Sequence, residues 1–182
     1  MKGGRGKRIL ETPRLILREM TWEDYGNLCG ILQDGEAMYA YEHAFSDEEV
    51  RDWLRRQLER YDGTGVGLWA VEDKATGEFL GQCGLTWQPV PWQEQPLLEV
   101  GYLFLRSQWH KGYAAEAAMA CRDYAFGVLG QPMVCSIIRD TNRPSQRVAE
   151  RNGMKPWRRF VKHYMGIDMP HDVYVVEKEG LV

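Results

Sequence analysis

Apolar residues along the chain follow two rhythms. Tyr25, Leu28, Cys29 and Leu32 recur at helical spacing, and the preceding Thr21-Trp22-Glu23-Asp24 places an acid three residues after an N-cap. This predicts a helix from Thr21 to near Gly35. Ser46-Asp47-Glu48-Glu49 repeats the capping pattern, and Val50, Trp53, Leu54, Leu58 and Tyr61 mark one face of a second helix that stops at Gly63. An alanine-rich stretch from Gly112 to Leu129, followed by Gly130 and Pro132, predicts a long third helix; Ser145 to Asn152, closed by Gly153, predicts a short fourth. The second rhythm is that of short β-rich runs: Arg14 to Arg18, Gly67 to Glu72, Phe79 to Thr86, Leu97 to Leu105, Met133 to Ile138, Trp157 to Lys162 and Val173 to Glu177. Asp73 to Glu78 has turn composition and predicts a hairpin. Trp87 to Pro96, with Pro89, Pro91 and Pro96, is expected to break the ladder. The order β-α-α-β-β-β-α-β-α-β-β describes an α/β (α+β) fold, a mixed central sheet with helices packed on it. Its strand-helix-strand segment from Leu97 to Ile138 forms a right-handed crossover with parallel strands.

A length of 182 residues suits one domain, expected over residues 12–178, after a basic flexible lead-in at 1–11 and before a short tail at 179–182. No apolar run approaches the roughly 20 residues that span a bilayer, and the basic N-terminus does not run into a signal-peptide core. No membrane association is expected. Cys29, Cys83, Cys121 and Cys135 are widely spaced and read as reduced thiols of a cytoplasmic protein. Neither they nor His43, His110, His163 and His171 have metal-ligand spacing, so no metal site is predicted. The net charge of −3 argues against nucleic-acid binding, although Arg143, Arg147, Arg151, Lys155, Arg158 and Arg159 are clustered in sequence.

The chemistry concentrates where the strand ending Glu99-Val100-Gly101-Tyr102-Leu103-Phe104-Leu105 leads through Trp109-His110-Lys111-Gly112-Tyr113-Ala114-Ala115 into the long helix. A helix opened this way offers free backbone N–H groups and a positive dipole end, both suited to an anion. Gly112 and Ala114 are small where a phosphate would approach, and Lys111 adds charge; the plain alternative is a structural turn. The spacing matches neither a Walker loop nor a dinucleotide fingerprint.

This loop resembles the acetyl-CoA pyrophosphate loop R/Q-x-x-G-x-G/A of GNAT-type N-acetyltransferases, with Trp109 in the R/Q place as in the ribosomal-protein (RimJ/RimL-like) branch. A second block, Asn142-Arg143-Pro144-Ser145 through Gly153-Met154, resembles the family's N-x-x-S…G-F/M element. The likeness runs from Thr12 to about Glu177. It implies a sheet splayed between the fourth and fifth strands of the predicted order, with acetyl-CoA as co-substrate. By the same resemblance the backbone of Tyr102, Leu103 and Phe104 pairs with the pantetheine amides. Trp109, His110, Lys111, Gly112, Tyr113, Ala114 and Ala115 hold the pyrophosphate, Asn142 bonds the pantetheine arm, and Ser145 lies near the sulfur as the candidate acid.

Acetyl transfer to an amine needs a proton acceptor and a proton for the departing thiolate. Glu99 serves as base if it faces inward; otherwise it faces solvent or pairs with a cation. Asn142 is alternatively a turn residue, and Ser145 the N-cap of the short helix. The sequence departs from the wider family at Ala149, where many members carry a tyrosine acid, so Ser145, a water or a distant residue such as Tyr164 must replace it. Tyr39, Tyr41, Glu42 and His43 fall where the family builds acceptor specificity, and Trp87 and Trp92 are candidates to wall the acceptor pocket. The leading expectation is a monomeric or homodimeric enzyme acetylating a primary amine, on a protein N-terminus or a small molecule. The alternatives are a CoA-binding module without efficient catalysis and a phosphate-binding α/β domain for another nucleotide.

Overall fold

The computed structural model describes residues 5–181; residues 1–4 of the expected lead-in and Val182 of the expected tail lie outside it. The elements are β1 (Arg8–Glu11), β2 (Leu15–Arg18), α1 (Tyr25–Leu32), α2 (Asp47–Thr64), β3 (Leu68–Asp73), β4 (Phe79–Val90), β5 (Gln93–Phe104), α3 (Tyr113–Gly127), β6 (Met133–Arg139), α4 (Arg143–Arg151), β7 (Lys155–Tyr164) and β8 (Ile167–Glu177). They build an eight-stranded sheet in the order β1-β2-β3-β4-β5-β6-β8-β7. All pairings are antiparallel except β5 with β6, so the expected parallel crossover is present.

Two expectations are corrected. The lead-in contains a strand: β1 pairs with β2 from Arg8 to Glu11, and its Ile9 and Leu10 pack on the core. The proline-rich stretch from Trp87 to Pro96 does not break the ladder, because β4 and β5 continue as one hairpin turning at Pro91 and Trp92. The register slips between Gln88 and Val90, so Pro89 and Pro96 sit about a bulge where ladder bonds are missing.

The sheet separates two helical layers. In β3, Trp69 and Val71 face α3 through Ala117, Ala118, Cys121 and Ala125, while Leu68 and Ala70 face α1 and α2 through Leu28, Ile31, Val50 and Leu54. Burial on both faces explains its unbroken apolar run. The α2 cap forms as predicted: Ser46 Oγ accepts from Glu49 N and Glu49 Oε2 accepts from Ser46 N. The helix runs on to Gly65, whose φ of 77° supplies the left-handed stop. Gly84 of β4 admits no side chain, since a Cβ there would lie 2.0 Å from the Gly67 carbonyl oxygen. Among the described residues no helix is long and apolar enough to cross a membrane.

One buried ionic network joins β2, β3 and the turn before α1. The Arg18 guanidinium donates to both Asp24 oxygens at 2.9 Å and to Glu72 Oε1 at 2.8 Å, with its side chain only 9% exposed. Burial alone would raise the Asp24 carboxyl, but hydrogen bonds from Arg18 and the Thr21 N–H outweigh it and hold it below the usual range. A lowered carboxyl stabilises the fold above its unfolded pKa and loses that contribution as pH falls through the folded value. Arg18→Met leaves two buried carboxylates without their cation and should cost about 3–5 kcal/mol in urea denaturation at pH 7. The deficit should shrink under acid, as the Asp24 carboxyl protonates. A pH-independent deficit would assign the loss to packing alone.

Candidate active site

The site begins where the sheet comes apart. β5 is bonded to β4 over most of its length and β6 to β8 from Met133 to Arg139, yet β5 and β6 share the single register pair Glu99–Cys135. Side chains replace the ladder at the apex. Ser136 Oγ donates to the Val100 carbonyl at 2.8 Å, and Glu99 Oε2 accepts from Ile137 N at 2.9 Å. Past this point the gap widens into a cavity of about 610 Å³. Tyr102 reaches across it, donating its hydroxyl to the Ser145 carbonyl in the first turn of α4 at 2.7 Å.

Glu99, Tyr102, Leu103, Asn142 and Ser145 all border this cavity. Glu99 therefore faces inward, half-buried, and burial pushes its carboxyl above the usual value; Lys162, the Ile137 N–H and Arg60 pull the other way without cancelling the shift. Tyr41 also lines the cavity, its hydroxyl pushed up to about 12 by burial and the Glu99 charge, so it stays a proton donor. Asn142, not Ser145, is the N-cap of α4: its Oδ1 accepts from Ser145 N at 3.3 Å and from the Tyr39 hydroxyl at 2.7 Å. The Ser145 hydroxyl has no protein partner among the described residues. Ala149, where a tyrosine was missed in the sequence, is packed in the core at 1% exposure.

The loop from Trp109 to Ala115 does not border the cavity; it lies past the C-terminal end of β5 and is held from outside. Arg14 donates to Glu116 Oε2 at 2.9 Å and to the Lys111 carbonyl at 3.0 Å, with its guanidinium 4.6 Å from the Tyr113 ring centre. His110 and Gly112 take left-handed φ of 64° and 79°, turning the chain into α3. Among the described residues the N–H groups of 110–115 have no protein acceptor. The Phe104 side chain is buried and its carbonyl accepts from Trp109 Nε1 at 3.1 Å, which ties the loop to the strand end.

A roof closes the opposite side. The turn at Tyr39–Tyr41 and the left-handed Glu42 bring Glu42 onto Arg139, while His43 bonds Glu49 at 2.8 Å and stacks on Tyr164. Of the residues expected to shape the acceptor pocket, Tyr41 lines the cavity, whereas Tyr39, Glu42, His43, Trp87 and Trp92 do not; Trp92 packs on Trp157 and Phe160 instead, and Tyr164, expected as a distant acid, lines the cavity too.

The chain's relatives fit this geometry. Residues 14–155 match the acetyltransferase (GNAT) domain. This chain belongs to the GNAT acetyltransferase family. Among curated proteins it is 41% identical over 149 residues to the uncharacterized protein YkkB of Bacillus subtilis, covering 81% of this chain and 86% of YkkB. It is 31% identical over 138 residues to the uncharacterized N-acetyltransferase p20 of Bacillus licheniformis, covering 75% and 76%. Among solved structures, a GNAT-family acetyltransferase from Bacillus anthracis superposes with a TM-score of 0.78 at 21% identity, covering 93% of this chain and 98% of that one. RimL, a ribosomal alpha-N-protein acetyltransferase in complex with coenzyme A, gives 0.76 at 14% identity, covering 96% and 99%.

The GNAT assignment makes the molecule an acyltransferase and sets aside the reading as a domain for another nucleotide. Several cavity residues of this GNAT enzyme carried no signal in the sequence. Arg56 and Arg60 on α2 look like a solvated helix face, and Lys162 and His171 look like ordinary strand residues, yet all four line the cavity. His171 is buried, its Nδ1 lies 2.8 Å from the Met169 carbonyl, and desolvation lowers its pKa, so it is neutral with the proton on Nδ1. Groups of three or more potential metal ligands are absent among the described residues.

The raised Glu99 carboxyl has two measurable consequences. In a carboxyl-carbon NMR titration it should titrate above the usual glutamate value, and Lys162→Met should move it higher still by removing a neighbouring cation. A raised carboxyl pKa also means that stability falls as pH rises from the unfolded pKa to the folded one, with the full cost present above it. Glu99→Gln, which keeps an oxygen for the Ile137 N–H, should therefore raise the melting temperature at pH 7 and lose that advantage under acid.

Proposed function

We propose that this enzyme transfers acetyl from acetyl-CoA directly to a primary amine, with Glu99 as the group that takes up the amine proton. The observation that carries the proposal is the Glu99 carboxyl: it stands at the apex of the splay, inside the cavity, with its proton affinity raised by burial. The chain offers matching groups for the co-substrate. Unpartnered N–H groups at 110–115 and the tight left-handed turn at Gly112 suit a diphosphate. The β6-facing edge of Tyr102 and Leu103 suits an amide-bearing arm added in the manner of a strand. Asn142 and Ser145, at the start of α4, flank the same opening. When bound, acetyl-CoA supplies an acyl thioester activated toward amines.

The protein's own part is to hold and move protons. Glu99 accepts the proton that the attacking amine gives up. The Ser145 hydroxyl, free of protein partners among the described residues, gives a proton to the departing thiolate as it takes one from water, replacing the tyrosine absent at Ala149. A covalent thiol relay has no support here, because Cys135, the thiol nearest Glu99, is pushed far above its usual pKa by burial and is not an available nucleophile. The Trp109 variant of the loop and the likeness to RimL favour the ribosomal-protein branch and a protein N-terminal amine; the roof of Tyr41, His43 and Tyr164 equally suits a small-molecule amine.

Thiol release from acetyl-CoA with an amine panel tests the proposal directly, and no release with any amine would refute it. Glu99→Gln should lower kcat about 10²–10⁴-fold, with little change in acetyl-CoA affinity, and should abolish the acidic limb of the kcat/KM profile. Ser145→Ala should reduce turnover more than coenzyme affinity; the reverse pattern would reassign it to binding. Gly112→Val, strained at a left-handed φ, should chiefly weaken CoA binding measured by calorimetry.

A further inference from the structure

The cavity wall opposite α4 is cationic, and its cations are unspent. Arg56 and Arg60 stand one turn apart on α2, and Lys162 comes from β7; all three line the same cavity as Glu99. Their recorded contacts are with neutral groups. Arg60 donates to Gln57 Oε1 at 3.2 Å, Arg56 lies over the Trp53 ring at 5.6 Å, and Lys162 lies over the Phe160 ring at 5.8 Å. Among the described residues none of the three pairs with a carboxylate. Arg139, which lines the same cavity, behaves differently and holds Glu42, although the exposed Arg51, Arg147, Arg151 and Arg158 also hold no carboxylate among the described residues.

Like charges gathered on one wall oppose one another: Arg60 is half-buried beside the exposed Arg56 and Lys162, and burial together with the Arg56 charge lowers the Arg60 pKa. Among the described residues Glu99 is the single acidic one lining the cavity, and it cannot neutralise three cations, least of all when it holds a proton. An arrangement of this kind is stabilised when an anion enters, and two guanidinium groups offer paired donors suited to a carboxylate or phosphate. The coenzyme's diphosphate is not that anion on the present geometry, since the loop proposed to hold it lies outside this cavity.

We propose that Arg56, Arg60 and Lys162 form an anion-binding wall of the acceptor pocket, so that the preferred acceptor is an amine carrying a carboxylate or phosphate a few bonds away. The amine end would point to Glu99 and the anionic end to α2. This rests on the acetyl-transfer reading for its activity assay, but not for its binding assay. Small amino acids, phosphorylated amines and peptide N-termini followed by an acidic side chain share this chemistry.

The test compares matched amines: β-alanine with β-alaninamide, phosphoethanolamine with ethanolamine, and Ala-Glu-Ala-amide with Ala-Gln-Ala-amide. The readout is the anionic-to-neutral ratio of kcat/KM in wild type and in Arg56→Gln/Arg60→Gln. Comparing enzymes on the same amine pair removes differences in amine basicity. In at least one pair the wild-type ratio should exceed the variant's by about 10–100-fold, the range for losing one charge-assisted contact; the pair that responds most identifies the source. Arg60→Lys, which keeps the charge, should retain part of the preference. Equal ratios in wild type and variant for every pair would overturn the proposal.

Thermal stabilisation by the same anionic amines, measured without acetyl-CoA, separates the two readings. If no amine is acetylated but the anionic members stabilise wild type and not the double variant, the anion wall stands and the acetyl-transfer reading fails. If acetylation proceeds without charge preference, the acetyl-transfer reading stands and the wall fails. Absence of both overturns both.

Discussion

The fold turns on one unfinished strand pair. A backbone buried in a sheet must find partners for its N–H and C=O groups, and β5 and β6 stop supplying them to each other after Glu99 and Cys135. Each strand survives the separation because its other edge is fully engaged, β5 by β4 and β6 by β8. The divergence is bridged by Ser136 to Val100, Glu99 to Ile137 and Tyr102 to the start of α4. These side chains close the apex while leaving the rest of the opening to whatever enters, so the fold's weakest seam is also its cavity.

Charge is handled in two opposite ways in the core and at the cavity. In the core, Arg18 is matched against Asp24 and Glu72 with good geometry, and the arrangement serves to join elements. At the cavity, Arg56, Arg60 and Lys162 face a lone carboxyl that burial inclines toward its neutral form. The first network is complete without a ligand. The second is not, and incompleteness of this sort is characteristic of binding surfaces.

Local signals are legible in the sequence because their physics is local. The Ser46–Glu49 capping box and the glycine turn into α3 each depend on a few neighbouring residues. Family membership was legible for the same reason, since the 109–115 loop and the Asn142 block are short local motifs. Failures came where distant partners decide. The β4–β5 hairpin absorbs Pro89 and Pro96 at a bulge, which no proline count reveals, and β1 looks like a basic tail until β2 pairs with it. Arg56 and Arg60 occupy an ordinary polar face of an amphipathic helix, and only the tertiary packing turns that face toward Glu99. Whether Glu99 pointed inward was likewise undecidable from alternation alone, since its strand has apolar neighbours on both sides.

The first turn of α4 shows how structural and chemical roles share the same atoms. Asn142 satisfies the Ser145 N–H as a helix cap and, through the same oxygen, accepts the Tyr39 hydroxyl from the roof. That leaves the Ser145 side chain uncommitted while its carbonyl is fixed by Tyr102. A turn further along, Ala149 is sealed into the core between sheet and α3, so position 149 contributes no group to the cavity. Proton return, in the proposed reaction, therefore shifts to the beginning of the helix or to the roof. Tyr41 and Tyr164 both border the cavity, and burial raises both phenols, which keeps them protonated at neutral pH. Of these groups Ser145 alone sits on the same helical turn as the cap that links α4 to the roof, and its position is consequently set by the interactions that hold the cavity closed.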